Sequence, residues 1–190
     1  KKDNYKILGC ELDIIHPDTP QGKLGTKSID PRDQDARNNL RPGFSQASDS
    51  MKKLFSSAHL INTVSLRTLV VPPGYQICRF FISCSKKNNL SEENLIRIIK
   101  KNSKQKKYIY QFSEIPLGSR AFEQSNSSAI ILLDKKYFHV KSLKFLNDFD
   151  KNYFEIIFQS YVHNTRGYCI SVLETLNKLA LNKNDLFCYK

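Results

Sequence analysis

The fold of this chain is decided by residues 66–84, whose sequence is LRTLVVPPGYQICRFFISC. β-Branched, aromatic and other apolar residues predominate in Leu66–Val71 and Tyr75–Cys84, and such runs are typical of strands. Pro72-Pro73-Gly74 lies between them and is a turn sequence, because proline fixes φ and glycine tolerates conformations that other residues avoid. The stretch therefore predicts a strand, a turn and a second strand.

Further helix and strand patterns lie on both sides of this stretch. Ser91 is a good N-cap, acidic residues follow it, and Lys100 and Lys101 suit a helix C-terminus, so a helix is predicted between them. Other helices are predicted after Ser48 and over Tyr168–Leu181. Strands are predicted at Tyr5–Ile15, Tyr108–Phe112 and Tyr153–Val162, and a hairpin at Ala129–Leu133 with Tyr137–Lys141. The absence of regular βαβ alternation predicts an α+β fold, a single domain over residues 1–190 with a mainly antiparallel sheet and about three helices.

Residues 16–46 differ from the rest of the chain in composition. They are rich in proline and glycine and contain few large apolar side chains. Loops longer than about 12–15 residues are usually functional or disordered. We therefore expect a long irregular loop or mobile arm at the N-terminal side of the domain.

The charge of the chain indicates what kind of partner it attracts. Lys and Arg number 30 against 18 Asp and Glu, which gives a formal net charge of +12. Such a surplus favours an anionic macromolecule, meaning nucleic acid, an acidic protein or an anionic membrane surface, although it also serves solubility. No apolar run reaches the roughly 18–20 residues of a membrane span, so we expect no transmembrane segment.

Lysines cluster beside aromatic residues at two places in the sequence. Lysines neutralise phosphates and aromatic rings stack on unpaired bases, so the clusters rank RNA or single-stranded DNA first among the partners. The predicted polyanion site consists of Lys100, Lys101, Lys104, Lys106, Lys107, Tyr108, Tyr110, Lys135 and Lys136.

A catalytic role is a further hypothesis for the second cluster. Strand alternation places Tyr137, His139 and Lys141 on one face. An imidazole beside a cation could take a proton from an RNA 2′-hydroxyl, so this face is consistent with a nuclease or a toxin- or effector-type enzyme. The competing interpretation is a solvated sheet face with an incidental histidine.

The cysteines indicate neither a metal centre nor a disulfide framework. Five cysteines are an odd number, no CxxC occurs, and the four histidines lack zinc-ligand spacing, so we expect no metal and no cofactor. Cys78 and Cys84 share one predicted strand and lie too far apart to pair. Mostly reduced, buried thiols favour an intracellular site of action, with secretion as an effector left open.

Cys169 is the one thiol with a catalytic alternative. It begins the last predicted helix, where the dipole favours thiolate, and His163 or His139 could act as its base. This arrangement is similar to that of papain-like thiol enzymes and implies a thiol-dependent hydrolase or transferase. The competing interpretation is a buried core thiol, because Cys169 is in register with an apolar helix stripe. That stripe consists of Val172, Leu173, Leu176 and Ala180.

Arg67, Ser127 and Glu155 occur in the order Arg, Ser, Glu, each on or at the start of a predicted strand. This order resembles that of ADP-ribosyltransferase toxins. The resemblance implies that the Arg and Ser position a dinucleotide and that the Glu supports an oxocarbenium-like centre. Asn126 replaces the first Ser of the family's Ser-Thr-Ser, and Tyr153 stands at the first acidic position of its Glu/Gln-x-Glu pair.

A non-enzymatic protein-interaction module is the last alternative, and the sequence leaves the oligomeric state open.

Overall fold

The computed structural model describes residues 5–17, 40–43, 60–146 and 149–181, together with the single residues 45, 47, 49 and 53. The strands are β1 (Lys6–Pro17), β2 (Arg41–Gly43), β3 (Ile61–Thr68), β4 (Gly74–Ser85), β5 (Tyr110–Ser113), β6 (Ala129–Leu132), β7 (Phe138–Ser142) and β8 (Lys151–Val162). The helices are α1 (Glu92–Ser103) and α2 (Arg166–Leu181), and Ser119–Phe122 forms a short 3-10 turn.

All eight strands belong to one sheet. Its order is β2-β3-β1-β4-β8-β6-β5, and β7 also pairs with β8. Only the pairs β1 with β3 and β5 with β6 are parallel among the described strands. The structure therefore confirms a mixed α and β fold based on a mainly antiparallel sheet.

The stretch 66–84 forms two strands, but these strands are not neighbours. β1 lies between β3 and β4, pairing with β3 in parallel and with β4 in antiparallel orientation. β3 also begins at Ile61 and ends at Thr68, so the predicted residues Leu69–Val71 belong to the connection. These three side chains are exposed, so the apolar run that predicted a strand here lies in a connection instead.

The predicted hairpin between residues 129–133 and 137–141 is wrong. β6 and β7 both pair with β8 in antiparallel orientation, β6 at residues 160–162 and β7 at residues 154–158. The two strands are therefore successive parts of one interrupted strand along the same edge of β8. The residues that resembled a hairpin turn are the interruption.

Two further expectations need correction. The segment 16–46 is not wholly irregular, because β1 extends to Pro17 and Arg41–Gly43 pairs with β3 as β2. Residues 18–39 lie outside the described residues. The predicted helix after Ser48 also falls largely outside them, so two helices of the expected three are described.

Helix α1 covers one face of the sheet. Ser91 caps it as predicted, since its hydroxyl accepts a hydrogen bond from the Asn94 amide at 3.3 Å. Its apolar side chains pack on a cluster centred on Phe138 and Ile156, which are 1% and 7% exposed. The α1 residues in this cluster are Leu95, Ile96 and Ile99. This packing fixes the end of α1 above β5.

Helix α2 contradicts the prediction of a buried apolar stripe. Val172, Leu173 and Leu176 are 38%, 59% and 55% exposed. The helix is anchored at its first turns instead, where Ser171 Oγ lies 2.8 Å from Ser128 Oγ. Gly167 permits this approach, because a Cβ atom there would lie 2.0 Å from the Ser127 carbonyl oxygen.

Candidate nucleic-acid interface

The predicted lysine cluster lies where α1 ends above the edge strand β5. Among the described strands, β5 pairs only with β6, so its other edge is open. Ile109 and Tyr110 donate backbone hydrogen bonds to the Lys106 carbonyl at 2.8 and 3.0 Å. These bonds turn the chain directly from the helix into the strand, which brings the lysines of residues 100–107 beside β5.

Two lysine–aromatic pairs occur at this edge. The ammonium of Lys100 lies 5.6 Å from the Phe112 ring centroid, and that of Lys107 lies 5.0 Å from the Tyr108 ring centroid. Lys100 also forms an ion pair with Glu114, so part of its charge is neutralised. Each of the two lysine–aromatic contacts contributes about 0.5–1 kcal/mol at an exposed site.

A cavity of about 200 Å³ lies between the end of α1 and β5. It is lined by Ser103, Lys104, Gln111 and Phe112. The lining therefore combines an aromatic ring, a cation and an amide that can both donate and accept hydrogen bonds. These are the groups that contact the base and the phosphate of a nucleotide.

The remaining predicted lysines are exposed around this cavity. None of Lys101, Lys104, Lys106 and Lys107 forms an ion pair with a carboxylate of the described residues. Lys135 and Lys136 lie beyond the opposite end of β5, where the Leu133 amide donates to the Ser113 carbonyl at 2.8 Å. β5 spans about 13 Å between the two groups. We call Lys104, Lys106, Lys107, Phe112, Lys135 and Lys136 the basic edge.

The aromatic members of the site differ from those predicted. Tyr110 is only partly exposed, and its hydroxyl donates to the Ile99 carbonyl at 3.4 Å, so it supports α1. Burial raises the pKa of its phenol. Phe112, which the sequence placed in a strand without a role, is 36% exposed and lines the cavity. Strand alternation puts Phe112 on the same face as Tyr110 and nearer the C-terminal end of β5. This two-residue spacing is the feature of the sequence that could have identified Phe112 as a site residue.

His139 and Lys141 lie on one face of β7, but Tyr137 belongs to a different environment. His139 Nε2 donates to the Lys136 carbonyl at 3.2 Å, and its Nδ1 lies 4.0 Å from Glu92 Oε1. Tyr137 packs instead with buried Ile130, Leu132 and Tyr161. The three predicted residues therefore do not form one catalytic group.

The tyrosines around Tyr137 are not suited to act as bases. Burial, with smaller contributions from the neighbouring Tyr161 and Tyr137, raises the pKa of Tyr75 to about 12. Burial likewise raises the pKa of Tyr161, whose hydroxyl donates to the Leu117 carbonyl at 2.8 Å. The Tyr75 and Tyr161 rings meet edge to face with centroids 5.2 Å apart. This cluster is core packing.

Cys169 is exposed, so the expectation of a core thiol is wrong. It lies in the first turn of α2, where its amide donates to the Thr165 carbonyl at 3.0 Å. His163 is 2% exposed, its Nε2 donates to the Glu123 carbonyl at 2.8 Å, and its Nδ1 lies 3.2 Å from Thr165 Oγ1. Both ring nitrogens are thus engaged, and His163 is not placed to serve Cys169.

His139 is equally unsuited to serve Cys169. It pairs with Ile157, five residues before β8 ends at Val162, whereas Cys169 follows that end. The separation along β8 alone is about 17 Å. The thiol-enzyme arrangement is therefore not assembled with either histidine.

Arg67, Ser127 and Glu155 are not brought together either. Arg67 pairs with His16, which adjoins Gly74, and Gly74 pairs with Val162 of β8. Glu155 lies seven residues earlier in β8, which places it about 20 Å away along the strands. Ser127 is fully buried and donates to the Lys107 carbonyl. The order of residues resembles the ADP-ribosyltransferase motif, but the geometry does not.

No protein-family model and no curated protein matches this sequence. Within the described ranges, no group of three or more His, Cys, Asp and Glu side chains could hold a metal ion. None of the helices described is both long and apolar enough to cross a membrane.

Proposed function

We propose that this chain binds single-stranded nucleic acid, RNA or single-stranded DNA, along the basic edge. The observation that supports the proposal is the cavity in which Lys104 and Gln111 adjoin the exposed ring of Phe112. Exposed lysines, which form no ion pair with a carboxylate of the described residues, continue from this cavity in both directions. A strand of nucleotides has the matching alternation of flat bases and anionic phosphates.

The residues of the basic edge, together with the adjoining Tyr108 and Gln111, have separate roles in this proposal. Phe112 and Tyr108 stack on bases, which contributes about 1–3 kcal/mol per base. Lys104, Lys106 and Lys107 neutralise phosphates and release counterions. Gln111 hydrogen-bonds to a base edge. Because most of these interactions involve phosphates and ring faces, the binding has little sequence preference.

The test of the electrostatic part is a salt titration of a fluorescent single-stranded oligonucleotide. The variant in which Lys104, Lys106 and Lys107 are changed to glutamine should have a salt slope shallower by roughly 0.7 per lost phosphate contact. The matched control changes Lys86, Lys144 and Lys151 to glutamine, which removes the same charge around a separate cavity near the start of β8. Equal slopes in both variants would reduce the proposal to non-specific attraction by net charge.

The test of the stacking part uses Phe112. Phe112→Ala should weaken oligonucleotide binding by about 5- to 150-fold, which corresponds to one lost stacking contact. Phe145→Ala, at another exposed phenylalanine, should leave the affinity unchanged. Unaltered binding of Phe112→Ala at unchanged stability would remove the cavity from the proposed site.

A further inference from the structure

The connection between β7 and β8 exposes apolar side chains among its described residues. Phe145 is 78% exposed, Leu146 is 43% exposed, and Phe149 is 95% exposed. Single exposed apolar residues are common on soluble proteins, but a group of them on one short loop marks an interaction site.

Backbone hydrogen bonds hold both ends of this loop. The Leu143 amide donates to the Tyr153 carbonyl at 2.9 Å, and the Leu146 amide donates to the Leu143 carbonyl at 3.1 Å. At the other end, the Asp150 carbonyl accepts from the Lys86 amide at 3.1 Å. The exposed rings therefore project from positions that β7, β8 and the loop after β4 define.

Lysines lie beside the exposed apolar side chains. Lys86, Lys144 and Lys151 line one cavity of about 250 Å³, and Leu146 lines the same cavity. The three ammonium groups form no ion pair with a carboxylate in the part of the chain that the structure describes. The Lys86 ammonium also lies 6.0 Å from the Phe149 ring centroid.

Acidic residues reduce the positive charge of this region only in part. Asp150 lines a neighbouring cavity with Lys6 and Lys151, and the loop sequence also contains Asp148. Lys87 and Lys141 add to the positive side. The lysines therefore outnumber the aspartates. The charged residues that line the cavity of about 250 Å³ are all lysines.

We infer that this loop docks on a membrane surface that contains anionic lipids. Phe145, Leu146 and Phe149 enter the boundary between headgroups and acyl chains, where apolar and aromatic side chains are stabilised. Lys86, Lys144 and Lys151 then meet the lipid phosphates. The pairing of exposed apolar side chains with adjacent cations suits the boundary of a bilayer, where acyl chains and anionic headgroups meet.

Nucleic acid fits this loop less well than a bilayer does. A nucleic acid could use the lysines and the two rings, but it gives an exposed leucine nothing to bury against. A bilayer accommodates all three apolar side chains at once. The basic edge, in contrast, has a polar amide and an aromatic ring in one cavity.

The first test is sedimentation of the full chain with vesicles of phosphatidylcholine alone or mixed with phosphatidylserine. We expect binding only to the mixed vesicles and at least tenfold weaker binding when Phe145 and Phe149 are both changed to serine. The control variant changes Ile115 and Leu117, which are 63% and 46% exposed elsewhere, to serine. Equal binding of wild type and loop variant, or no binding to mixed vesicles, would overturn the inference.

The second test addresses the lysines. Changing Lys86, Lys144 and Lys151 to glutamine should weaken vesicle binding by about fivefold for each lysine. The variant with Lys104, Lys106 and Lys107 changed to glutamine should bind vesicles like the wild type. The opposite ranking would assign vesicle binding to the basic edge. Because each triple variant is measured with both ligands, failure of this inference and failure of the proposed function are distinguishable.

A spectroscopic probe reports insertion directly, because the chain contains no tryptophan. Phe149→Trp should show a blue-shifted emission on adding phosphatidylserine vesicles and no shift with an oligonucleotide. Phe112→Trp should show the reverse preference, with its emission changed by the oligonucleotide alone. A shift at position 112 but not at position 149 with vesicles would contradict docking through the loop.

Discussion

The four described thiols differ in environment, and this difference decides their chemistry. Burial raises the pKa of Cys10 to about 11, with a smaller contribution from Glu11. Burial also raises the pKa of Cys78 to about 12. The pKa of Cys84 is raised for the same reason. Since the thiolate is the reactive form, these three groups are both protected and unreactive at neutral pH. Of the four described thiols, only Cys169 is exposed.

Alkylation with iodoacetamide at neutral pH tests this assignment. In a Cys188→Ser background, we expect the native protein to be modified at Cys169 alone and the denatured protein at all four remaining cysteines. Mass spectrometry of the digested protein identifies the sites. Cys169→Ser, added to this background, should take up no label in the native state. Native modification of Cys10 or Cys78 at a rate similar to Cys169 would contradict the burial described above.

At the scale of elements, the long strands and α1 were predictable because local signals agree with tertiary packing. β4 and β8 combine β-branched and aromatic residues over twelve residues each. α1 has a capping serine, acidic residues in its first turn and lysines in its last turn. Where propensity, capping and charge point to the same element, the sequence is sufficient.

Pairing and burial could not be predicted in the same way. The turn sequence after β6 is compatible with a hairpin, yet β7 continues along β8 because Phe138 and Val140 complete the core under α1. The stripe of α2 has helical spacing, but spacing alone does not supply a surface to cover it. Non-local contacts decide both outcomes, and they leave no local pattern.

The candidate site shows the same division. The lysines of the basic edge were evident from composition, whereas Phe112 depended on where α1 ends above β5. The order Arg67, Ser127, Glu155 was compatible with a known motif, but strand register separates the first and last of these residues. Distances between elements are set by the sheet order, which the sequence did not reveal.

The cap of α1 provides a test of how much this element contributes to stability. Ser91→Ala removes the hydroxyl that accepts from the Asn94 amide at 3.3 Å. We expect the free energy of unfolding to fall by about 1 kcal/mol, measured by urea denaturation. Ser91→Thr keeps the hydroxyl acceptor, so its free energy of unfolding should fall by less. A cost for threonine as large as that for alanine would mean that the cap bond does not stabilise the helix.

At the scale of the whole molecule, the two proposed surfaces lie at different ends of β8. The β7–β8 loop joins β8 at Lys151, and β6 with β5 beside it pairs at residues 160–162. Ser160 is nine positions after Lys151 in the strand, which corresponds to about 30 Å. This distance exceeds the Debye length of about 8 Å at physiological salt. The charge of a ligand bound at one surface therefore has little effect on the binding of a ligand at the other.

The protein should therefore bring together two polyanions that repel each other. We expect a fluorescent single-stranded oligonucleotide to sediment with phosphatidylserine-containing vesicles only when the protein is present. Vesicles of phosphatidylcholine alone provide the control. Changing either Lys104, Lys106 and Lys107 or Lys86, Lys144 and Lys151 to glutamine should strongly reduce co-sedimentation, because each variant weakens one of the two surfaces. If the oligonucleotide instead releases the protein from the vesicles, both polyanions compete for one surface, and the separation of the two sites along β8 has no functional meaning.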